Sequence, residues 1–376
     1  PPPLESVSVI FIHEQQIFAV QRQSYLLAFP GYHAFPGGKI DADESSAAFE
    51  TEFLREHDAI RMRALQREIM EELGYDLEEG IKKGEVLSVS ELAEALAPPF
   101  SPVRFRTWFY RVDLSKLITF KVDSGEFADS FWKTSAELLE TFRAGKSLMV
   151  HPTRWVLEGL QKNPQATAFG DLSQNFTDNE TVPCLEMLEG VPQYAVRSAT
   201  LPPASMTNAF LLGDIDAPKL LVDPSPNSGE EYQRLLNTIK VKKLDAIFLT
   251  HHHPDHHQFS NQLARQLKLP IILSQDTQQR LTLKNGEDYF EQIELRNVVE
   301  KEEVTRWHGS AVRVYEIPGH DAGHLGLAPD TLSWFIVGDL IQGIGTVVIP
   351  SPEGDMATYF KTLEKVIELN PEVIIP

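Results

Sequence analysis

Two groups of residues in this sequence have side-chain types and spacings that suit metal chemistry. The first group is Glu68, Glu71 and Glu72, which lie at positions i, i+3 and i+4 and would project from one face of a helix. Like charges at this spacing are destabilising unless a cation lies among them, and several carboxylate oxygens suit Mg2+ or Mn2+. A solvated acidic helix face is the alternative interpretation of these three residues alone.

The second group is a histidine cluster, because five of the 12 histidines fall within residues 251–257. The cluster follows the apolar run Ala246–Leu249, and a strand that ends here delivers imidazoles to one edge of a sheet. Two further polar motifs follow strand-like runs, at Pro318–His324 and at Val337–Asp339. The alternative, a solvated polar loop, does not account for these partner motifs.

Composition and charge restrict the classes of function. A chain of 376 residues, 42% hydrophobic and 23% charged, exceeds what one core usually serves, so we expect about two globular domains. The formal net charge of -20 disfavours a general nucleic-acid binder, although a local basic groove for RNA stays open. We therefore expect a small nucleotide-type substrate.

The apolar runs and the single cysteine indicate where in the cell the protein is expected. No apolar run reaches the roughly 20 residues that span a bilayer, and the Pro-rich start lacks a signal-peptide pattern. We expect a soluble protein with no membrane partner. The one cysteine, Cys184, permits neither an internal disulfide nor a Cys-rich metal site. This favours a cytoplasmic or organellar location, with mitochondria and peroxisomes as options, over secretion.

The pattern along the chain predicts two domains joined by a polar connection. Strand-like runs, a Gly/Pro-rich turn at Phe35–Gly38 and a helix from about residue 61 to Gly74 belong to a first domain, residues 1–165. Residues 166–191 are polar and irregular, with Asn175, Asp178 and Asn179 among them, and predict a linker. Short apolar runs that alternate with helical or turn segments predict an α/β domain over residues 192–376.

The first domain resembles the Nudix hydrolase family over roughly residues 5–160. The resemblance rests on Gly38 and Glu44 followed by the run Arg67-Glu68-Ile69-Met70-Glu71-Glu72-Leu73-Gly74. It implies an α/β/α sandwich in which Glu68, Glu71 and Glu72 are ligands of Mg2+ or Mn2+. Glu71 and Glu72 would also act in catalysis, and Arg67 would brace the motif by pairing with a carboxylate.

The motif departs from the family pattern by an insertion. Residues 45–66, 22 in all, separate Glu44 from Arg67, where the family's usual spacing is seven. We expect the 15 extra residues to loop out, which puts the role of Glu44 in doubt. The flank Ala34–Asp41 with an interrupted motif is similar to the subgroup that includes peroxisomal coenzyme A diphosphatases.

The second domain resembles the metallo-β-lactamase-fold hydrolases over roughly residues 192–376. The resemblance rests on His251-x-His253-x-Asp255-His256 and on the two later motifs. It implies an αββα sandwich with two ions of Zn2+, or of Mn2+ or Fe, of the glyoxalase II or endoribonuclease type. The implied ligands of the two ions, with Asp339 shared and Asp255 also acting in proton transfer, are His251, His253, His320, Asp255, His256 and Asp339.

Three further expectations come from the same resemblance. Asp223 is expected to support the first ion, and His252, His257 and His324 are expected to be structural or to contact the ligands. The family supplies a last histidine after the strand at residues 371–376, so the chain is expected to stop just short of that ligand.

The leading hypothesis is a bifunctional metal-dependent hydrolase. The first domain would cleave a nucleoside-diphosphate-linked substrate, with a coenzyme A type as the candidate, and the second would cleave a thioester or another ester. The alternative is an endoribonuclease in which the Nudix-like domain is a nucleotide-binding or assembly module. Failure to bind single-stranded RNA at low salt would remove this alternative.

Overall fold

The computed structural model describes residues 2–101, 103–174 and 180–376. The chain divides into two compact units, Pro1–Phe176 with Met187–Glu189, and Thr177–Glu186 with Gly190–Pro376. Residues 175–179 of the predicted linker, with Asn175, Asp178 and Asn179, lie outside the described residues. The domain limits 1–165, 166–191 and 192–376 remain a prediction.

The first unit is a seven-stranded mixed sheet with helices on both faces. Its sheet order is β3-β2-β1-β5-β4-β7, and β6 pairs with β2. Its strands are β1 (Leu4–His13), β2 (Gln16–Arg22), β3 (His33–Ala34), β4 (Val86–Leu96), β5 (Phe105–Leu114), β6 (Phe127–Thr134) and β7 (Gly170–Asp171). Its helices are α1 (Glu52–Arg55), α2 (Ala59–Leu73), α3 (Leu77–Lys82), α4 (Ser135–Arg143) and α5 (His151–Lys162).

Alternation along β1 explains the two layers of helices. Val7, Val9 and Phe11 pack in one core cluster with residues of α2 and α3, whereas Ile10 and Ile12 pack in another with residues of α4 and α5. Successive side chains of a strand point to opposite faces, so a strand that is buried at every position from Ser6 to Ile12 needs a cover on both faces. The expected α/β/α sandwich is confirmed.

The second unit contains two sheets. One has the order β14-β13-β12-β11-β10-β9-β8 and the other the order β15-β16-β17-β18-β19. The strands are β8 (Cys184–Leu185), β9 (Gln193–Arg197), β10 (Met206–Leu212), β11 (Leu220–Val222), β12 (Ala246–Phe248), β13 (Ile271–Leu273), β14 (Leu295–Asn297), β15 (Glu303–Trp307), β16 (Ser310–Glu316), β17 (Leu325–Pro329), β18 (Phe335–Ile336) and β19 (Ile374–Ile375).

Helices cover the outer face of each sheet in this unit. The helices are α6 (Gly229–Ile239), α7 (Pro254–His257), α8 (Ser260–Leu267), α9 (Gln275–Asn285) and α10 (Met356–Leu369), with two 3-10 helices at Glu287–Phe290 and Gly338–Leu340. Residues of α6, α8 and α9 pack on the larger sheet, and Val366 of α10 packs on the smaller one. Side chains on the other face of the larger sheet, such as Val222 and Phe248, are buried too. This is the expected αββα sandwich.

Among the described residues, none of the helices has the length and apolar content needed to cross a membrane.

The insertion at residues 45–66 is packed rather than looped out, which corrects the expectation above. Residues 52–55 and 59–66 are helical, and the Asp58 side chain caps α2 by accepting the N–H of Arg61 at 3.0 Å. Phe49 and Leu54 are only 3% and 1% exposed. The helix therefore starts two residues before the predicted position because of a cap that lies inside the insertion.

Replacing Phe49 by alanine is expected to destabilise the first unit by about 3 kcal/mol. The substitution removes a buried aromatic ring and leaves a cavity, and it also removes the contact with the Arg63 guanidinium 3.6 Å from the ring centroid. Denaturant unfolding followed by tryptophan fluorescence would measure the change. Phe53, 39% exposed in the same insertion, is the matched control, with an expected change near 0.5 kcal/mol. Equal effects at the two positions would show that the insertion is not packed.

Candidate metal centres

The first candidate centre lies where α2 meets the Gly37-Gly38 turn. The backbone N–H of Gly37 donates to Oε2 of Glu72 at 2.7 Å. Gly37 has a φ of 142°, and a Cβ there would lie 2.2 Å from the carbonyl oxygen of Val7. A Cβ on Gly38 would lie 2.3 Å from Oε1 of Glu68. Gly37 therefore allows the turn to lie against the backbone of β1, and Gly38 allows it to lie against the Glu68 carboxylate of α2.

Arg67 ties together the carboxylates around the start of this motif. Its guanidinium lies 2.8 Å from Oε1 of Glu68, 3.3 Å from Oε2 of Glu71 and 3.2 Å from Oε2 of Glu44. The same group donates to the carbonyl oxygen of Lys39 at 2.8 Å. Glu44 therefore reaches the helix despite the insertion.

The structure does not gather these carboxylates into one metal-ready group. In the described ranges, three or more ligand atoms within 4.8 Å of one another occur only among residues of the second unit. The chemistry of the donor set still fits a hard cation, because five carboxylates contact Arg67 or the Gly37 N–H, namely those of Asp41, Glu44, Glu68, Glu71 and Glu72. To bind the ion, the carboxylates of Glu68 and Glu71 would have to break their contacts with the Arg67 guanidinium.

Burial changes the acid–base properties of this centre. Burial raises the pKa of Glu72 to about 8, although the Gly37 N–H opposes the shift. Burial also raises the pKa of Glu68, against the effect of Arg67. A buried carboxylate whose charge costs this much becomes stable as an anion when a divalent cation lies beside it.

The sequence interpretation missed two charged residues in this region. Arg22 and Glu126 both lie close enough to affect the pKa of Glu72, and their charged atoms are 3.6 Å apart. Arg22 ends β2 and Glu126 precedes β6, a paired strand. Lone charges at strand ends carry no sequence pattern that distinguishes them from solvated ones.

The second candidate centre lies at the carboxyl ends of strands from both sheets. Asp223 follows β11, and the cluster that begins at His251 follows β12, which pairs with β11 in parallel. His320 follows β16 of the other sheet, and Asp339 follows β18. The predicted residues of this centre are therefore brought together by strand ends, as the sequence interpretation expected.

Three ring nitrogens converge at this centre. Nε2 of His251 lies 3.1 Å from Nδ1 of His253, and Nε2 of His320 lies 2.9 Å from the same atom. His253 Nδ1 has one site in the ring plane, either an N–H or a lone pair, so it cannot form hydrogen bonds to both neighbouring nitrogens at once. The separations fit ligands of one ion, and His251, His253, His320 and Asp339 form one of the potential metal groups.

The outward-facing nitrogen of each of these rings has an oxygen acceptor. His251 Nδ1 lies 3.0 Å from Oγ1 of Thr250, His320 Nδ1 lies 2.6 Å from the carbonyl oxygen of Val348, and His253 Nε2 lies 3.4 Å from Oε2 of Glu353. An N–H directed at an oxygen leaves the other ring nitrogen with a free lone pair. The three lone pairs are therefore aimed at a common point.

Asp255, His256 and Asp339 form a second potential metal group beside the first. His256 donates through Nδ1 to Oδ2 of Asp223 at 2.7 Å, and its Nε2 lies 3.2 Å from Oδ1 of Asp339. Oδ2 of Asp339 lies 3.5 Å from Nε2 of His320. Asp339 thus has one oxygen on each group, as expected of a shared ligand.

The electrostatics of the centre favour neutral imidazoles beside an ionised carboxylate. Burial, and then the neighbouring imidazoles, lower the pKa of His251 well below its usual value. Burial also lowers the pKa of His256, but the carboxylates of Asp339 and Asp223 outweigh it and raise that pKa well above the usual value. Burial raises the pKa of Asp339, and the positive charge of His256 more than reverses this effect. A cation would replace the proton that His256 otherwise holds.

Three further histidines lie near this centre and differ in their contacts. His252 Nδ1 lies 2.6 Å from Oδ2 of Asp321, and His257 Nδ1 lies 2.9 Å from the Tyr289 hydroxyl. His324 is buried with its ring centroid 4.6 Å from that of His251, and neither of its ring nitrogens has a hydrogen-bond partner within the described residues. The supporting roles expected of these three residues stay a prediction.

Substituting valine for Thr250 is expected to weaken Zn2+ binding by about 10- to 100-fold. Oγ1 of Thr250 donates to Oδ2 of Asp223 at 2.6 Å, so it accepts the Nδ1–H of His251. Valine has nearly the same shape but leaves both groups without this partner. Competition with a chromophoric chelator would measure the affinity. Thr238→Val is the control and should leave the affinity unchanged, because the hydroxyl that it removes bonds to the backbone of Val182 and Arg234.

Comparisons with known proteins match both halves of the chain. A family model described as NUDIX domain matches residues 2–151, and one described as Metallo-beta-lactamase superfamily matches residues 202–376. A hydroxyacylglutathione hydrolase of Wigglesworthia glossinidia brevipalpis is 30% identical over 173 residues, 44% of this chain and 58% of that protein. A beta-lactamase-like protein 2 homolog of Drosophila melanogaster is 28% identical over 182 residues, 45% of this chain and 57% of that protein.

This chain therefore spans a little under three-fifths of the length of these two curated relatives, at 58% and 57%. Among solved structures, a NUDIX hydrolase from Alicyclobacillus acidocaldarius is matched with 20% identity and a TM-score of 0.36. That match covers 43% of this chain and 93% of the solved one.

Proposed function

We propose a hydrolase with two separate metal-dependent sites, from the premise that this chain carries a NUDIX domain followed by a domain of the Metallo-beta-lactamase superfamily. Both are families of hydrolases, and both are metal-dependent. The observation that carries the proposal is the convergence of three histidine lone pairs, each fixed by an oxygen acceptor on the far side of its ring. Such an arrangement is costly for folding unless it binds a cation.

In the second domain we assign His251, His253 and His320 to one ion and Asp255 and His256 to another, with Asp339 shared. Zn2+ is the favoured ion because the donors are imidazoles and carboxylates, with Mn2+ or Fe as alternatives. The ions would activate water at neutral pH and polarise the scissile bond. The Asp255 side chain is 15% exposed, so its carboxylate can also move a proton between the reacting groups and solvent.

In the first domain we assign Glu68, Glu71 and Glu72 to Mg2+ or Mn2+. The ion would offset the charge of a diphosphate and activate the attacking water. Glu72 is held by the Gly37 N–H, which fixes the direction of its carboxylate. Glu71 is 61% exposed in its side chain and can change its partner from Arg67 to the ion without leaving a buried group unpaired.

For the substrate class we propose an acyl-coenzyme A, because one molecule contains both a diphosphate and a thioester. The curated hydroxyacylglutathione hydrolases carry an acyl conjugate of glutathione in their names, which supports an acyl-thiol substrate for the second domain. The acidic balance of the chain, with its net charge of -20, opposes the RNA alternative.

Product analysis tests this proposal. A fatty acyl-coenzyme A is incubated with the protein, Mg2+ and Zn2+, and the products are identified by mass spectrometry. Adenosine 3',5'-bisphosphate with acyl-phosphopantetheine is expected from the first domain, and free coenzyme A with fatty acid from the second. Formation of neither pair would overturn the acyl-coenzyme A assignment, and cleavage of single-stranded RNA in its place would establish the alternative.

A further inference from the structure

The segment from residue 348 to residue 355, which precedes α10, contacts two of the three converging histidines. The carbonyl oxygen of Val348 accepts the Nδ1–H of His320 at 2.6 Å. The carboxylate of Glu353 reaches two rings, because Oε2 lies 3.4 Å from Nε2 of His253 and Oε1 lies 3.6 Å from Nε2 of His252. Neither Val348 nor Glu353 belongs to a sequence motif described above.

We propose that Glu353 is a positioning residue of the metal centre in the second domain. Its carboxylate accepts the Nε2–H of His253 and so keeps the proton off Nδ1, the atom that lies 3.1 Å from His251 Nε2 and 2.9 Å from His320 Nε2. Without an acceptor at Nε2, the neutral ring can place its proton on Nδ1 and lose the lone pair that faces the centre. This inference rests on the proposed metal site.

The geometry decides between this role and a separate metal site. His252, His253 and Glu353 also form a potential metal group of their own. That group would need the Nε2 lone pair of His253, whereas the larger group uses Nδ1. A neutral imidazole has only one lone pair in the ring plane, so the two uses exclude each other. The Nδ1 use is favoured because Nδ1 has two other imidazole nitrogens within 3.1 Å.

The backbone holds Glu353 in place independently of its side chain. The N–H of Ala322 donates to the carbonyl oxygen of Glu353 at 3.1 Å, and the N–H of Asp355 donates to that of Gly319 at 2.9 Å. A Cβ on Gly354 would lie 2.7 Å from the carbonyl oxygen of His320, so the segment lies against the loop that carries this histidine. Truncating the Glu353 side chain should therefore leave the segment where it is.

The expected loss of Zn2+ affinity depends on how exposed the Glu353 side chain is. The Glu353 side chain is 36% exposed, so solvent can supply a substitute acceptor for part of the time. We expect Zn2+ affinity to fall by about tenfold in Glu353→Ala, the lower end of the range for partners of metal-bound histidines. Glu353→Gln keeps a carbonyl acceptor without the charge and should recover most of that loss.

Chelator competition on the full chain tests the inference, with nitrogen NMR of the histidine rings as a second readout. Glu353→Ala should show about tenfold weaker Zn2+ binding and a larger share of the Nδ1–H form of His253 in the zinc-free protein. Glu368→Ala, an exposed carboxylate on α10, is the matched control and should match the wild type.

The outcomes separate this inference from the function it rests on. Wild-type protein that binds no Zn2+ would overturn the metal site itself. Wild-type protein that binds Zn2+, with Glu353→Ala equal to it in affinity and in ring tautomer, would overturn only the role of Glu353. A loss in Glu353→Ala that Glu353→Gln restores supports the role and rules out a general loss of folding.

Discussion

Replacing Asp339 by alanine is expected to reduce hydrolysis at the second domain by about 10³-fold or more, which corresponds to roughly 4 kcal/mol of activation free energy. Among the described residues, Asp339 is the one that belongs both to the group of His251, His253 and His320 and to the group of Asp255 and His256. Its Oδ1 lies 3.2 Å from His256 Nε2 and its Oδ2 lies 3.5 Å from His320 Nε2. If Asp339 is the proposed shared ligand, its loss removes one ligand from each ion. Metal analysis after dialysis and a thioester assay would measure the two effects.

The control for Asp339 is Asp330→Ala in the same unit. Asp330 is exposed and pairs with Arg313, with Oδ1 2.6 Å from Nε, so its loss removes a surface ion pair and little else. It should retain full activity and the wild-type zinc content. An Asp339→Ala protein with two zinc ions and unreduced turnover would show that Asp339 is not a shared ligand.

Glu72→Gln is expected to abolish diphosphate cleavage, by about 10³-fold or more, while raising the stability of the first unit without metal. The amide keeps an acceptor for the Gly37 N–H, which lies 2.7 Å from Oε2 in the wild type, but it cannot offer an anionic oxygen to Mg2+. Steady-state turnover with Mg2+ and thermal unfolding in chelator would measure the two effects. Glu78→Gln, on α3, is the control for a carboxylate in the same unit.

The effect on stability has a definite dependence on pH. Burial raises the pKa of Glu72 to about 8, so the folded chain holds its proton more tightly than the unfolded chain does. This contribution is fully present below the ordinary value of 4.5 and is lost as the pH rises to about 8. Glu72→Gln should therefore flatten the decline of stability over this window, and Mg2+ should stabilise the wild type more than the variant. A steeper decline of stability with pH in Glu72→Gln than in the wild type, with a larger effect of Mg2+ on the variant, would show that Glu72 is ionised without a cation.

The sequence predicted those parts of the two sites whose side chains are close together along the chain. Three glutamates at i, i+3 and i+4 on a helix share a face wherever the helix lies, and histidines directly after a strand come to a sheet edge. Those rules placed α2 and the cluster from His251 to His256, and the folds of both units agreed with the resemblances. The supporting role of Asp223 was predicted from the family resemblance and not from these rules, and Asp223 accepts hydrogen bonds from both Thr250 and His256.

The features of the fold and of the sites that the sequence did not predict depend on contacts between distant parts of the chain. Glu353 lies 100 residues from His253, and nothing in its neighbourhood marks it as a partner of a histidine. The insertion at residues 45–66 was expected to loop out because the spacing between Glu44 and Arg67 exceeds the family's usual spacing. In the structure, Phe49 and Leu54 of the insertion are buried in the core. Apolar side chains inside an insertion are a signal that could have predicted this packing.

The most direct test of two separate metal-dependent sites is to measure both cleavages of a fatty acyl-coenzyme A in the wild type, Glu72→Gln and Asp339→Ala. Mass spectrometry follows the diphosphate and thioester products in one reaction with Mg2+ and Zn2+. We predict that Glu72→Gln loses only the diphosphate products and Asp339→Ala only the thioester products. Loss of both pairs in one variant, or retention of both pairs in Glu72→Gln, would contradict two independent active sites.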